Sequence, residues 1–388
     1  MKRLAIITTH PIQYNAPLFR VLSERKRIAV KIFYTWGQSQ EAVFDARFGL
    51  QRSWDIPLLD GYEYEFVHNV SKRPDSNRFW GVINPGLIKQ LEQEQFDAIL
   101  VYRWSLFSHL RILRSFGGKP RLFFRGDSHL LKRERGLKAV LKKQLLRFVY
   151  QRVDKAFYVG AYNKTYYRHS GLTQDQLLYA PHAIDNERFS ADAEGWEAKA
   201  SAERLLLTIP QHCLVFLYAG KFYEVKQLEL LIEVFQQLKG DQYRLLLVGN
   251  GEQEEQLRAS AATDDRILFQ PFRNQSEMPL VYRLGDVFVL PSKRETWGLG
   301  VNEAMACSRP AIVSDACGCA PELIVERETG FVFRSGDEAD LLTQMQQFTD
   351  KTVSKKMGEK AFEHIQQFSL ERVAEVIEEA VGEVEDRR

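Results

Sequence analysis

Apolar residues along the chain fall into two patterns, short unbroken runs and longer stretches spaced three and four apart, and the two alternate. The runs Leu4 to Thr8, Ile28 to Tyr34, Tyr62 to Val67, Ala98 to Tyr102, Arg121 to Phe124, Ala156 to Val159 and Leu177 to Ala180 predict strands. Leu18 to Leu22, Leu106 to Phe116, Leu131 to Val153 and Tyr162 to Ser170 carry helical spacing between them. A stretch from Ser190 to Ser201, rich in Ala, Glu and Asp, has no strand signal. Beyond it the alternation restarts, with strands at Leu214 to Tyr218, Arg244 to Val248, Ile267 to Phe269, Val287 to Leu290, Ala311 to Val313 and Gly330 to Phe333. Helices are expected over Leu228 to Leu238 and Glu252 to Ala259, up to Leu284, near Gly300, and from Asp337, Lys351 and Leu370. Unbroken apolar runs suit strands covered on both faces by helices, as in parallel sheets. The expected fold class is therefore α/β, two doubly wound parallel sheets of the Rossmann kind. The pattern break divides the chain into domains 1–189 and 190–369, with the terminal helix 370–388 packing back on the first. Two such sheets facing each other would line a central cleft with their strand C-termini.

Composition narrows this picture. With 388 residues, 45% of them apolar, the chain has enough for two cores. The net charge of +2 hides an asymmetry: residues 1–190 hold 31 Lys and Arg against 17 Asp and Glu, so the first half suits an anionic surface or partner. Cys213, Cys307, Cys317 and Cys319 show no paired-loop pattern, which predicts reduced thiols and a cytoplasmic protein. Cys317-Gly318-Cys319 lacks a second Cys or His cluster, so no metal site is assigned. The apolar run after Met1-Lys2-Arg3 is too short for a signal peptide, and no stretch reaches membrane-span length.

Candidate chemistry sits at the expected strand ends. In the second half, Gly220, Lys221 and Lys226 follow the strand ending at Tyr218, and two ammonium groups beside a glycine offer a phosphate pocket. Gly249 opens a Gly-x-Gly turn that by itself says only strand to helix. The stretch from Lys293 to Ala306 follows the strand ending at Leu290 and holds Glu295, Gly298 and Glu303. Its glycines allow close backbone approach, and a helix start near Gly300 attracts an anion. Two carboxylates there either accept hydrogen bonds from sugar hydroxyls or are a solvated loop acid and a helix-start acid facing the dipole.

In the first half, His10, Gln13 and Asn15 lie on the polar loop after the first strand, where open α/β sheets bind ligands; alternatively they shape the turn and cap the helix. Asp127 follows the strand ending at Phe124 and either orients a substrate hydroxyl or caps the next helix. The aromatic excursion Phe44 to Leu59 is long enough to be an acceptor-facing flap. In Leu131 to Val153, Leu137, Val140, Leu141, Leu145, Phe148 and Val149 repeat at helical spacing among many Lys and Arg. A core helix with a solvated basic face and a helix docking its cationic face on anionic lipid both fit.

Taken in order, Gly220-Lys221 with Lys226, Gly249 to Gly251, Glu295 to Glu303, Glu303-Ala304-Met305-Ala306 and Gly318 to Glu322 resemble the donor half of glycosyltransferase family 4 (glycosyl transferases group 1). Pro181 to Phe189 resembles the segment that ends the first domain in such enzymes, and Thr9 to Tyr14 and Arg125 to Ser128 resemble a bacterial subgroup, so the likeness covers nearly the whole chain. It implies the GT-B fold and a retaining, metal-independent hexosyltransferase-type enzyme with no cofactor. The implied partners are a UDP- or GDP-linked sugar donor and a glycan or lipid-linked acceptor; an anionic membrane surface through 131–153 is expected separately, from its basic residues, and no nucleic acid is expected. The implied setting is surface polysaccharide, lipopolysaccharide or glycolipid synthesis, in the cytoplasm or peripherally on the inner face of the cytoplasmic membrane. The resemblance assigns Lys221 and Lys226 to the diphosphate, Glu303 to the ribose, Glu295 with the backbone of Trp297, Gly298 and Leu299 to sugar and phosphate, and the backbone of Phe272 and Arg273 to the base. Lys221 stands where the family usually has Arg, Gln227 where it has Gly, and Cys319 where it has the second Gly of a pair. A UDP-sugar 2-epimerase of the same architecture and a non-catalytic sugar-nucleotide sensor are the competing readings.

Overall fold

All strand pairings assigned in the two large sheets are parallel, and the pattern of burial explains why. Leu4 to Ile7, Ile99 to Val101 and Leu245 to Leu247 are buried without alternation, as strands covered on both faces must be. The computed structural model describes residues 1–40, 43–45, 50–52, 54–130 and 136–384.

In chain order the strands are β1 (Arg3–Thr8), β2 (Ala29–Tyr34), β3 (Val43–Asp45), β4 (Leu50–Arg52), β5 (Glu63–Phe66), β6 (Ala98–Tyr102), β7 (Arg121–Arg125), β8 (Lys155–Tyr158), β9 (Leu177–Tyr179), β10 (Leu214–Ala219), β11 (Tyr243–Val248), β12 (Ile267–Gln270), β13 (Val287–Leu290), β14 (Ala311–Ser314) and β15 (Gly330–Phe333). The chain forms two compact units, one of residues 1–43, 57–182 and 370–388, the other of residues 44–56 and 183–369. The division falls at 182/183, earlier than the break in composition at 189/190, and most of Ser190 to Ser201 belongs to the helix Ala193–Leu206.

The first unit holds a seven-stranded sheet in the order β5-β2-β1-β6-β7-β8-β9. Strand order reverses between β1 and β6, so a crevice opens outside their carboxyl ends. The helix Leu370–Gly382 joins this unit by packing against the helix Ala16–Arg25, where Arg25 Nε donates to the buried Glu378 carboxylate at 2.9 Å. The second unit holds a six-stranded sheet, β12-β11-β10-β13-β14-β15, whose order reverses between β10 and β13.

The excursion after β2 differs from expectation. β3 and β4 pair as a two-stranded ribbon, and the segment ends on the second unit, where Ser276 N–H donates to Asp55 Oδ1 at 3.1 Å. Residues 46–49 of the expected flap lie outside the described residues.

Candidate functional site

At the switch point of the second sheet, the loops after β10 and β13 carry most of the residues singled out in this half. Gly220 N–H donates to Val248 O at 2.9 Å and Gly249 N–H to Gln270 O at 3.0 Å, which continues the ladder past the strand ends and sets Lys221 on the next residue. Tyr218, buried, donates its hydroxyl to the Lys221 carbonyl at 2.8 Å and fixes the turn from below. A short 3-10 turn, Glu224–Lys226, then delivers Lys226, whose ammonium is ion-paired with Glu295 Oε2. The loops are also tied through their backbones, Lys293 N–H donating to Val225 O at 2.8 Å.

Glu295 itself is fixed as part of a strand-like bridge to Cys317: its N–H donates to Ala316 O at 3.1 Å and its carbonyl accepts from Gly318 N–H at 3.0 Å. Trp297 is buried, its indole Nε1 donating to Asn302 Oδ1 at 2.8 Å. Gly298, at φ +107°, turns the chain into the helix Leu299–Ala306; a Cβ there would meet Leu290 Cδ2 at 2.7 Å. In the first turn of this helix the Val301 N–H donates to Gly298 O at 2.9 Å, and no acidic residue sits in that turn. Here the structure corrects the sequence reading: Glu303 is the fifth residue of the helix, beyond the first turn, so facing the helix dipole does not explain it. It is buried, and the Tyr282 hydroxyl donates to Glu303 Oε2 at 2.5 Å. After β12, Arg273 is held at 2.7 Å from both Glu277 and Glu203, so its side-chain charge is taken up in ion pairs within the protein.

In the first unit, His10, Gln13 and Asn15 lie half-buried on the loop leaving β1. Asn15 stands at the N-cap position of the helix Ala16–Arg25 but makes no side-chain cap, so capping does not account for it. His10 shares a 2.9 Å hydrogen bond with Thr9 Oγ1 and meets the Trp36 ring edge-on at 5.4 Å. Burial, helped by the charge of Arg103, lowers His10 to about 4, so it is neutral at pH 7. Asp127 is no helix cap either: the next helix, Leu137–Tyr150, opens on Gly136. Asp127 Oδ2 lies instead 4.0 Å from His182 Nε2, beneath which the buried Arg125 donates to the Ala180 and Pro181 carbonyls at 2.9 and 3.0 Å. Arg103, directly after β6, was missed by sequence reasoning. It adopts φ +62°, which L side chains rarely do, and lies within Coulombic reach of Asp127 and Asp75.

The helix Leu137–Tyr150 reverses one expectation. Leu137, Val140, Leu141, Leu145 and Phe148, which the spacing allows as a core face, are exposed, while Leu146, Val149 and Tyr150 are buried. Helical geometry sets Lys143 and Arg147 on one flank of the exposed apolar row and Lys142 on the other. Lys132, Arg133 and Arg135 lie outside the described residues.

Residues 206–364 match the model of the family glycosyl transferases group 1. Over those residues the chain is similar to that family. Sulfoquinovosyl transferase SQD2 of Arabidopsis thaliana is 29% identical over 229 residues, 58% of this chain and 43% of that protein. The chain spans about half the length, or less, of the curated relatives it matches. Among solved structures, sucrose-phosphate synthase from Thermosynechococcus elongatus superposes with a TM-score of 0.73 at 18% identity, over 99% of each chain. Anabaena Alr3699/HepE in complex with UDP and glucose superposes with a TM-score of 0.70 at 16% identity, over 98% of this chain and 100% of that one. Both likenesses concern the fold, which is GT-B, built from two Rossmann-like units.

Against the group 1 pattern, two of the three departures, Gln227 and Cys319, have local explanations. Gln227 sits at φ +51°, ψ +42°, the left-handed region where a glycine is at ease, and its Oε1 accepts from Ser335 Oγ at 3.0 Å. Cys319 has helical angles, φ −81° and ψ −14°, so its position makes no demand for glycine. The demand falls on Gly318, where a Cβ would lie 1.9 Å from the Thr296 carbonyl oxygen. All four cysteines are free and buried. Among the described residues no group of three His, Cys, Asp or Glu is arranged to hold a metal ion, and no helix is long and apolar enough to cross a membrane.

Proposed function

We propose that this protein is a retaining glycosyltransferase that moves a sugar from a UDP- or GDP-linked donor to a glycan or lipid-linked acceptor, in surface polysaccharide or glycolipid synthesis. The observation that carries the proposal is the Lys226–Glu295 pair, set where the second sheet reverses and beside the acid-free first turn of Leu299–Ala306. Breaking a glycosyl phosphate bond develops negative charge on the leaving diphosphate. Lys221, Lys226 and the helix N–H groups would stabilise that charge without a divalent ion. Glu303, buried and oriented by Tyr282, would accept from the ribose hydroxyls, and Glu295 from the sugar hydroxyls. The HepE complex with UDP and glucose supports a uridine nucleotide as one donor class to test first. On the first unit, His10, Gln13 and Asn15 would line the acceptor side, with Asp127 orienting the attacking hydroxyl. A neutral His10 suits hydrogen bonding to an acceptor without repelling a cation. The exposed row Leu137 to Phe148 with its basic flanks supports peripheral attachment to an anionic membrane, on the cytoplasmic side.

Purified protein incubated with UDP- and GDP-sugars and a lipid-linked acceptor should release nucleoside diphosphate, with the anomeric configuration of the donor kept in the product and with activity persisting in EDTA. Epimerised nucleotide sugar formed without acceptor would establish the competing enzyme class. Release unchanged in Glu303→Ala would remove the site assignment.

A further inference from the structure

The loop that follows β5 leaves the carboxyl end of the first sheet, as does the segment that follows β6 and begins the helix Phe107–Ser115. Together they hold out an aromatic surface that nothing in the donor chemistry uses. Trp80 is 60% exposed, yet its ring lies on Phe107 with centroids 4.7 Å apart and planes inclined by 31°. Phe79 meets Trp80 edge-on at 5.0 Å. The loop is built rather than floppy. The buried Asn69 donates to Gly81 O at 3.0 Å and accepts from Ile83 N–H at 2.8 Å, and Ser71 Oγ donates to the Trp80 carbonyl at 2.7 Å. Asp75 N–H donates to Gly81 O at 3.2 Å, and a Cβ on Gly81 would sit 1.9 Å from the Asp75 carbonyl oxygen. A fixed backbone therefore presents an indole to solvent, at the cost of leaving apolar surface wet.

The same two segments carry cations. Lys72, Arg73 and Arg78 are exposed on the same loop, Arg103 follows β6, and the Arg111 guanidinium lies over Phe107 at 5.7 Å. Asp75, the acid among them, is already held by Arg78 at 3.2 Å. A pyranose ring offers a C–H face that packs on an indole and a rim of polar groups that bond to its surroundings. A carboxylate or phosphate on that rim would find the cations.

We propose that Trp80, backed by Phe107 on segments that also carry these cations, is a stacking platform for an acidic saccharide unit of the acceptor. This deepens the glycosyltransferase reading and rests on it for the word acceptor. The full chain, with its six tryptophans replaced by 5-fluorotryptophan, gives fluorine resonances of which Trp80→Phe identifies one. Digalacturonic acid should shift that resonance saturably, with at least tenfold weaker response to lactose and a clear weakening in high salt. No shift, an equal shift with lactose, or a shift produced by phosphatidylglycerol vesicles alone would overturn the platform. UDP binding, followed by calorimetry on the same samples, separates the two ideas. UDP binding with a silent Trp80 removes only the platform, and a responsive Trp80 without UDP binding removes only the donor reading.

Discussion

Lys226 and Glu295 are ion-paired across the reversal point of the second sheet, each on a loop that leaves a different strand, β10 and β13. Without a donor, each side chain neutralises the other. On the proposed function an arriving diphosphate draws Lys226 away and frees the Glu295 carboxylate for hydroxyls, so the pair holds two binding groups in position before use. Replacing Lys226 by Met should lower the rate of nucleoside diphosphate release by roughly 10²–10³, the range for removing one preorganised donor to developing charge. Both side chains are only 21% exposed, and removing the lysine leaves the Glu295 carboxylate without its ion pair, so the thermal unfolding midpoint should fall as well. A steady-state assay beside a thermal melt checks both halves, and activity within threefold of the parent would count against the role.

Glu303 tests a different dependence. It is buried, and the Tyr282 hydroxyl is the donor seen at 2.5 Å. Tyr282→Phe keeps the ring and removes that donor. Loss of a hydrogen bond to a charged group costs ~1.5–3 kcal/mol, so urea denaturation should show a clear drop in stability. Calorimetry with UDP should show weaker binding in the same variant, because the carboxylate loses its orientation. An unchanged denaturation midpoint would mean that another group satisfies Glu303.

At Gln227 the backbone is the issue. A left-handed side chain costs ~1–2 kcal/mol, while glycine in the unfolded chain gives back ~0.5–1 kcal/mol and the Ser335 contact is lost. Gln227→Gly should therefore stay within ~1 kcal/mol of the parent. Gln227→Val, β-branched at φ +51°, should be clearly destabilised in the same urea titration.

The strands were legible because burial on both faces leaves unbroken apolar runs, and runs such as Leu214 to Tyr218 have no competing pattern. The loops after β10 and β13 were legible as strand-end loops for the same reason: once the strands are known, their carboxyl ends are known. What lay beyond the sequence is contact and orientation. Nothing near Lys226 in the chain announces Glu295, and the position of Glu303 in its helix depended on where Gly298 turns the backbone, one residue ahead of the start near Gly300. Arg103 reads as one more arginine until its φ of +62° is seen. Leu137 to Phe148 shows the limit of periodicity most clearly, because spacing marks a face and only tertiary packing decides whether that face is covered.

Acid should destabilise the first unit before its carboxylates titrate. His10, His109 and His182 are each lowered from 6.5 to about 4, burial being the largest cause in every case. The unfolded chain binds these protons first, so stability is fully present above pH 6.5 and is lost as pH falls towards 4. Each histidine can contribute up to ~1.4 kcal/mol per pH unit in that window. Urea midpoints measured from pH 7 to 5 should fall steadily. In His109→Gln, which removes the ring bonded to Tyr102 O at 2.7 Å and Thr35 Oγ1 at 2.8 Å, the absolute stability should drop and the slope should lose one histidine's share. A flat profile would mean that these rings protonate without unfolding the protein.

Leu137 and Leu141 are 74% and 61% exposed on the helix Leu137–Tyr150, so the folded protein gains nothing from their apolar surface. Moving a leucine side chain out of water contributes ~1.5–3 kcal/mol, and an anionic surface adds ~1 kcal/mol for each nearby Lys or Arg. Two kinds of variant therefore separate the contributions. Leu137→Ser with Leu141→Ser should weaken binding to phosphatidylglycerol vesicles by at least tenfold while leaving the thermal midpoint unchanged. Lys142→Gln with Lys143→Gln should reduce binding at low salt and matter less at high salt, where screening has already removed their share. Co-sedimentation with phosphatidylcholine alone should be weak throughout. Binding that ignored both lipid charge and the two serine changes would mean that the exposed row serves something other than a membrane.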